Sequence, residues 1–131
     1  MAERSGSYVL PYPLSTVSAV VRDPAEVGQA LAFVETTEER AGGVFWRLRA
    51  PMATITGAQA LRLDFQAPAE GPVRWRAESP RLLSRGQIHL EAAGPTATRL
   101  EFKLEMAGLG AAKMVIEPLA TMQIEAQIAH F

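Results

Sequence analysis

Apolar and polar residues alternate along five segments of the chain between Val44 and Met106, and the polar stretch Val34–Arg40 before them is predicted as an edge strand. A period of two is typical of antiparallel strands that bury one face and expose the other. The predicted strands are Val34–Arg40, Val44–Arg49, Thr54–Gln66, Val73–Ala77, Gly86–Glu91 and Thr98–Met106. Ser7–Pro11 is predicted as an earlier strand, and Ser79–Arg85 as a connection. The pattern indicates one antiparallel sheet of about seven strands.

Two short helices are predicted between the first strand and the rest of the sheet. Three valines recur at helical spacing within Leu14–Val21. Asp23 is a good N-cap residue and Pro24 suits the first helical position, so a second helix is predicted over Pro24–Leu31. Glu26 stands where a capping box has its acid, which strengthens the prediction of a helix start here.

The last segment, Gly108–Phe131, changes from strand periodicity to helical periodicity. Polar residues recur along it at every fourth position, namely Lys113, Glu117, Thr121 and Glu125. A continuous helix would be about 36 Å long, and Pro118 lacks an amide donor, so a kink is predicted near Met114–Pro118. Val115, Leu119 and Met122 lie on the other side and are predicted to face the sheet. A sheet that leads into such a helix can enclose a ligand.

The apolar side of the predicted sheet carries aliphatic and aromatic residues only. Its members are Val44, Trp46, Leu48, Leu61, Leu63, Phe65, Val73, Trp75, Ile88, Leu90, Leu100, Phe102 and Leu104. Most are interpreted as ordinary core residues. Trp46 and Trp75 are candidates for ligand contact as well, because a large ring on a sheet can line a pocket and orient a ligand through its indole N–H. This side has no acid, base or nucleophile, so no catalytic residue is predicted.

Composition and charge exclude several classes of protein. The 131 residues suffice for one domain with its own core. A formal net charge of −1 argues against non-specific binding to nucleic acid. The absence of cysteine excludes disulfides, zinc–thiolate sites and thiol catalysis. No run approaches the roughly 20 apolar residues that span a bilayer, and the first residues do not resemble a signal peptide. A cytoplasmic location without integral membrane association is therefore predicted.

The polar side of the sheet offers little chemistry. His89 falls on this side and His130 lies near the last residue, so neither a metal site nor a cofactor is predicted. Four arginines share the polar side, namely Arg47, Arg49, Arg74 and Arg76. We interpret them as a solvated surface balanced by acids, with a docking surface for an acidic partner as the alternative. Phe45, predicted to be exposed on the same side, is a candidate anchor for a protein partner.

Three stretches of the sequence resemble a known superfamily. They are Val20-Val21-Arg22-Asp23-Pro24, Thr96-Ala97-Thr98-Arg99-Leu100, and Gly108-Leu109-Gly110 followed by Pro118. With the order of elements, they resemble the START-like, polyketide cyclase/dehydrase and lipid transport superfamily, also called SRPBCC. The resemblance covers the whole chain, 1–131, and implies one α+β domain of the helix-grip fold, a curved antiparallel sheet wrapped around a long C-terminal helix. Among its members the chain looks most like the relatives of the G-type subunit of carbon monoxide dehydrogenase, although Ala32-Phe33 replaces the proline-glycine usual in those relatives.

The first functional hypothesis is non-catalytic binding or transport of a hydrophobic small molecule between the sheet and the C-terminal helix. The resemblance implies a lipid-like, polyketide-like or quinone-like ligand. The predicted ligand-binding residues are Trp46, Leu48, Leu63, Phe65, Trp75, Leu90, Phe102, Val115, Leu119 and Met122.

Two alternatives stay open. One is a polyketide cyclase or dehydratase, which would need a polar-side group turned inward by a bulge or a register slip; the candidates are Arg47, Asp64, Arg76 and His89. The other is an accessory or assembly factor of a larger redox enzyme. The sequence also leaves homodimerisation open.

Overall fold

The protein is an α+β structure built on a seven-stranded antiparallel sheet. It is seen in a computed structural model that describes residues 2–50, 53–54, 59–108 and 124–130. The strands are β1 (Ala2–Leu10), β2 (Val34–Arg40), β3 (Gly43–Leu48), β4 (Ala60–Gln66), β5 (Val73–Ser79), β6 (Leu82–Gly94) and β7 (Ala97–Gly108). The helices are α1 (Leu14–Val21), α2 (Pro24–Ala30) and α3 (Ile124–His130). The predicted fold class and number of strands are confirmed.

Hairpin connections give the sheet a simple strand order. The order is β1-β7-β6-β5-β4-β3-β2, so only the pairing of β1 with β7 joins strands that are distant in sequence. Gly94 closes the β6–β7 hairpin with φ 147°, and Gly43 stands at the start of β3 with φ 130°. These are conformations that favour glycine, which explains why the β2–β3 and β6–β7 turns each have one.

Three predicted boundaries are wrong, each for a physical reason. Ser79–Arg85 is not a connection, because Ser79 pairs with Leu82 across a two-residue turn and β6 begins there. The first strand extends back to Ala2, and its polar start, Glu3–Ser7, pairs with Glu101–Glu105 of β7. Thr54 is helical and β4 starts only at Ala60. Polar strand ends have weak intrinsic preferences, so pairing with a neighbouring strand decides their structure.

The two short helices form where the sequence predicts them. All three valines of α1, at positions 17, 20 and 21, are fully buried. Asp23 caps α2 by accepting a hydrogen bond from the amide of Ala25 at 2.9 Å, with Pro24 at the first position. Glu26 does not complete a capping box and instead accepts a hydrogen bond from the Gln127 side chain of α3. The acid thus joins the two helices.

The helices lie against one face of the sheet, which we call the inner face. Helix α1 contacts β6 and β7, α2 contacts β2, and α3 contacts both α1 and α2. Ile124 and Ile128 of α3 are buried in the common core. Of the predicted helix over Gly108–Phe131, the part at 124–130 is helical, and the kink near Pro118 lies outside the described residues. No described helix has the length and apolar character needed to cross a bilayer.

Candidate ligand-binding face

Seven of the predicted ligand-binding residues lie together on the inner face of the sheet. Cross-strand pairs such as Phe65 with Trp75 and Leu63 with Ala77 place them on the same side of successive strands. Four are buried, namely Trp46, Leu48, Leu63 and Trp75. Three are partly buried and pack against the core, namely Phe65, Leu90 and Phe102. The predicted residues Val115, Leu119 and Met122 lie outside the described residues.

The other inner-face residues predicted from the alternation also point inward. Leu61, Val73, Ile88, Leu100 and Leu104 are buried, and Val44 is partly buried against the same core. The period-two pattern therefore identified the face of every strand from β3 to β7 correctly. One face of the sheet is consequently a largely apolar surface.

Aromatic rings form a row across this surface. The rings of Trp46 and Trp75 meet edge to face with centroids 5.9 Å apart. Phe65 stacks on Trp75 at 6.3 Å and 14°, while Phe33 meets the far side of Trp46 at 6.3 Å. Each pair of neighbouring rings lies at a separation that favours aromatic contacts, so the contacts stabilise the orientation of the rings. Phe33, at the entry to β2, is a member that the sequence pattern missed.

Gly86 explains why Trp75 can lie flat against the sheet. The two residues are directly opposite on β6 and β5. A Cβ built on Gly86 would lie 1.9 Å from Cζ2 and 2.2 Å from Cε2 of the Trp75 ring. Such distances are far inside van der Waals contact, so only glycine leaves room for the indole. An isolated glycine within a strand is the sequence signal for a close approach of this kind.

The two indole N–H groups have different surroundings. Trp46 Nε1 donates to the carbonyl oxygen of Pro24 at 3.1 Å and so ties β3 to α2. Gly28 lets the helix come this close, since a Cβ there would lie 2.9 Å from Trp46 Nε1. Trp75 Nε1 is buried and has no hydrogen-bond partner among the described residues. Buried donors are normally paired, so an unpaired indole on this face needs an explanation.

A second aromatic pair lies at the other edge of the inner face. Tyr8 of β1 stacks on Phe102 of β7 with centroids 5.5 Å apart and planes 9° from parallel. Phe102 also covers Gly6, where a Cβ would lie 2.8 Å from its Cε1 atom. Tyr8 is 43% exposed although it lies on the inner side of the sheet. The apolar surface therefore continues to the edge strand and is open there.

The inner face is not wholly apolar, contrary to the expectation from the sequence. Ser84 is buried on β6, in the stretch that the sequence pattern predicts as a connection. Thr98 is fully buried, and its hydroxyl donates to the carbonyl oxygen of Tyr12 at 2.9 Å. The register of β1 adds Arg4 and Tyr8 to the inner side. Correct strand ends would have revealed Ser84, because it continues the alternation of Ile88.

The opposite, outer face carries most of the charged residues of the sheet. The groups that a catalytic alternative would need turned inward are all exposed there, namely Arg47, Asp64, Arg76 and His89. Arg47 pairs with Glu38 at 3.1 Å and Arg76 with Glu78 at 3.2 Å. The pairing supports a balanced, solvated surface. Phe45 is half-buried, with the Arg40 guanidinium 5.0 Å above its ring, so the prediction of an exposed anchor is wrong.

A cleft of about 250 Å³ also lies on the outer face. It is lined by the strand positions Trp75 and Gly86 and by the polar residues Arg74, Arg85, Gln87, Lys103 and Glu105. Arg85 contacts Glu105 at 2.7 Å, and Lys103 contacts the same carboxylate at 3.4 Å. Arg85 and Lys103 therefore have an acidic neighbour, Arg74 donates to the Gln87 amide oxygen at 3.4 Å, and the cleft has the character of ordinary polar surface.

Two pKa shifts reflect these outer-face ion pairs. Hydrogen bonds from Arg40 and then Arg47 lower the pKa of the Glu38 carboxyl. A hydrogen bond to Glu105, together with the charge of Glu3, raises the pKa of the Lys103 ammonium. Both groups are on the solvated side of the sheet, so neither contributes chemistry to the inner face. Within the described ranges, no three acidic or histidine side chains cluster as a metal site would require.

Comparison with known proteins identifies the fold. No protein-family model matches the sequence, and a search of curated protein sequences finds no significant match. Solved structures do match over nearly the whole chain. A START superfamily protein from Mycobacterium smegmatis is 12% identical with a TM-score of 0.63, covering 99% of this chain and 88% of that one.

Two enzymes with the same architecture match equally well. The Zhui aromatase/cyclase from a Streptomyces species is 14% identical with a TM-score of 0.62, covering 97% of this chain and 86% of that one. Norcoclaurine synthase from Thalictrum flavum is 13% identical with a TM-score of 0.62, covering 98% and 82%. The chain therefore has a START-like, helix-grip fold. The narrower resemblance to the G-type subunit of carbon monoxide dehydrogenase stays a prediction.

Proposed function

We propose that this START-like fold binds a hydrophobic small molecule against the inner face of its sheet, without catalysing a reaction. The observation that carries the proposal is the largely apolar inner face, with its row of aromatic rings in contact. Phe65, Leu90 and Phe102 belong to that surface and remain partly exposed. Covering a Leu or Phe side chain completely is worth about 1.5–3 kcal/mol, so an apolar ligand would gain substantially here.

The shape of the surface favours a flat or extended ligand. Phe65 and Trp75 are nearly parallel, and Tyr8 and Phe102 form a second parallel pair towards the edge strand. Ring faces of this kind contact planar or chain-like molecules over a large area. A lipid-like, polyketide-like or quinone-like compound is consistent with both pairs. Val115, Leu119 and Met122 are proposed to contact the same ligand from the C-terminal segment.

The fold neighbours support small-molecule binding but leave its purpose open. One is an aromatase/cyclase, and a point mutant of norcoclaurine synthase is known in complex with a transition-state analogue. A shared fold does not transfer an activity, because function depends on the groups in the site. In this chain Arg47, Asp64, Arg76 and His89 are on the outer face, away from the proposed ligand. We therefore favour a carrier or sensor over a cyclase.

A probe titration on two neighbouring residues of β6 tests the proposal. Leu90 lies on the inner face and His89 on the outer face. N-phenyl-1-naphthylamine, a neutral dye that fluoresces in apolar surroundings, should bind the native protein. Leu90→Gln should weaken binding about tenfold, because it places an amide against the ligand. His89→Gln should leave binding unchanged.

The two variants separate the outcomes clearly. Both are expected to fold, which circular dichroism and thermal melts check. Equal affinity in Leu90→Gln and His89→Gln would contradict binding on the inner face. A loss confined to His89→Gln would point to the outer face instead.

A further inference from the structure

We infer that the ligand carries a neutral hydrogen-bond acceptor, of the ketone, quinone or ester class, which accepts from Trp75 Nε1. The inference rests on the proposed function and deepens it. Its starting point is a donor that the described structure leaves unpaired: Trp75 is 4% exposed, and its indole nitrogen is buried without a partner. The other indole, that of Trp46, is already engaged by Pro24.

The position of this donor is fixed by its neighbours. The ring lies against Gly86 on one side, stacks with Phe65 and meets the Trp46 ring at 69°. It cannot rotate its N–H towards solvent without breaking these contacts. A donor held in one position favours ligands whose acceptor reaches that position. Binding such a ligand requires no side-chain reorganisation, which lowers its cost.

The surroundings determine which acceptor fits. The indole N–H is a single neutral donor, and an anion placed against it on this buried face would lose its hydration with little compensation. A carbonyl oxygen requires no such compensation. Ser84 is buried on the same face and pairs with Ala77, while Trp75 pairs with Gly86. Ser84 and Trp75 are therefore diagonal neighbours on adjacent strands. The Ser84 hydroxyl is a further polar group on this largely apolar face.

Two probes that differ only in a carbonyl test this inference. The ketone 2-acetylnaphthalene and the hydrocarbon 2-ethylnaphthalene have nearly the same shape. Trp75→Phe keeps an aromatic ring and removes the donor. It should weaken binding of the ketone about three- to tenfold more than binding of the hydrocarbon, the effect of one hydrogen bond. Both probes lose the same apolar contact when the indole is replaced by the smaller phenyl ring, so the difference between them isolates the hydrogen bond.

Nuclear magnetic resonance of the unmodified protein gives an independent readout. The chain has two tryptophans, so its nitrogen–proton spectrum has two indole signals, which the Trp75→Phe spectrum assigns. The ketone should shift the Trp75 indole proton downfield, and the hydrocarbon should not produce this shift. The Trp46 indole proton, bonded to Pro24, should keep its downfield position with either probe.

The possible results discriminate between the two proposals. If both probes bind and Trp75→Phe weakens them equally, the acceptor inference is wrong while binding on the inner face stands. A bound water that satisfies the indole would give this same result. If neither probe binds, both the proposed function and the inference are contradicted. A selective loss for the ketone, with the indole shift, supports both.

Discussion

Gly86→Ala should destabilise the protein, although it adds a single methyl group to a strand. The added Cβ would lie 1.9, 2.2 and 2.3 Å from three atoms of the Trp75 ring. Trp75 cannot retreat freely, since Trp46 and Phe65 hold it with centroids 5.9 and 6.3 Å away. The ring or the strand must therefore move, and overpacking of a core typically costs about 1–3 kcal/mol.

An opposing contribution reduces the expected effect. Gly86 does not have a positive φ, so alanine is compatible with its backbone and restricts the unfolded chain. That restriction stabilises a protein by about 0.4–1 kcal/mol. The net loss should be about 1–2 kcal/mol. For a chain of this size the melting temperature should fall by roughly 3–10 °C.

Urea unfolding followed by far-ultraviolet circular dichroism measures the change. Gly42→Ala is the matched control, because a Cβ there meets no atom within 4 Å and the φ of Gly42 is not positive. It should be neutral or slightly stabilising. The cost of Gly86→Ala should also disappear in a Trp75→Leu background, since the clash is with the indole. If Gly86→Ala were as stable as Gly42→Ala, the close approach of the Trp75 ring to Gly86 would be refuted.

Two further predictions concern the inner wall and the outer face. Thr98→Val should cost about 1–2 kcal/mol, because it removes the buried hydrogen bond to Tyr12 that anchors the chain before α1. Urea unfolding measures the change, with Thr96→Val in the exposed hairpin turn as the control. Equal free energies of unfolding for the two variants would contradict the prediction. Arg47→Gln should raise the pKa of Glu38 towards its ordinary value, by removing one of the two arginines whose hydrogen bonds lower it. Because the folded-state pKa of Glu38 is depressed, the small stabilisation that its ion pairs give the fold is present above the unfolded-state pKa and is lost as pH falls through the folded-state pKa. An NMR titration in which the Glu38 carboxyl has the same pKa in Arg47→Gln as in the native protein would contradict this prediction.

Alternation along the chain predicted the sheet and its buried face well. Trp46, Leu63, Trp75 and Leu100 are predicted to point inward from period two alone, and each is buried. The reason is that a half-buried strand must turn every second side chain to the core. The caps at Asp23 and Pro24 likewise marked α2 correctly, because the hydrogen bond involved is local.

Features that depend on distant pairing could not be predicted from local pattern. The polar start of β1 is a strand only because β7 pairs with it, and Ser84 is an inner residue only because β6 starts earlier than its apolar run. The role of Gly86 requires knowledge that Trp75 lies opposite. Glu26 has the sequence position of a capping acid, yet its contact is with α3. Each case depends on a partner that lies outside the local sequence pattern.

Native mass spectrometry with organic extraction tests the central claim most directly. The account predicts that the protein, purified without detergent, carries an apolar molecule or takes up one equivalent of an added aromatic ketone. The bound molecule should be recovered in the organic extract, and Leu90→Gln should retain much less of it than His89→Gln. A protein that remains empty with lipid, quinone and aromatic ketone probes, while folded, would contradict the proposal that the inner face is a binding site.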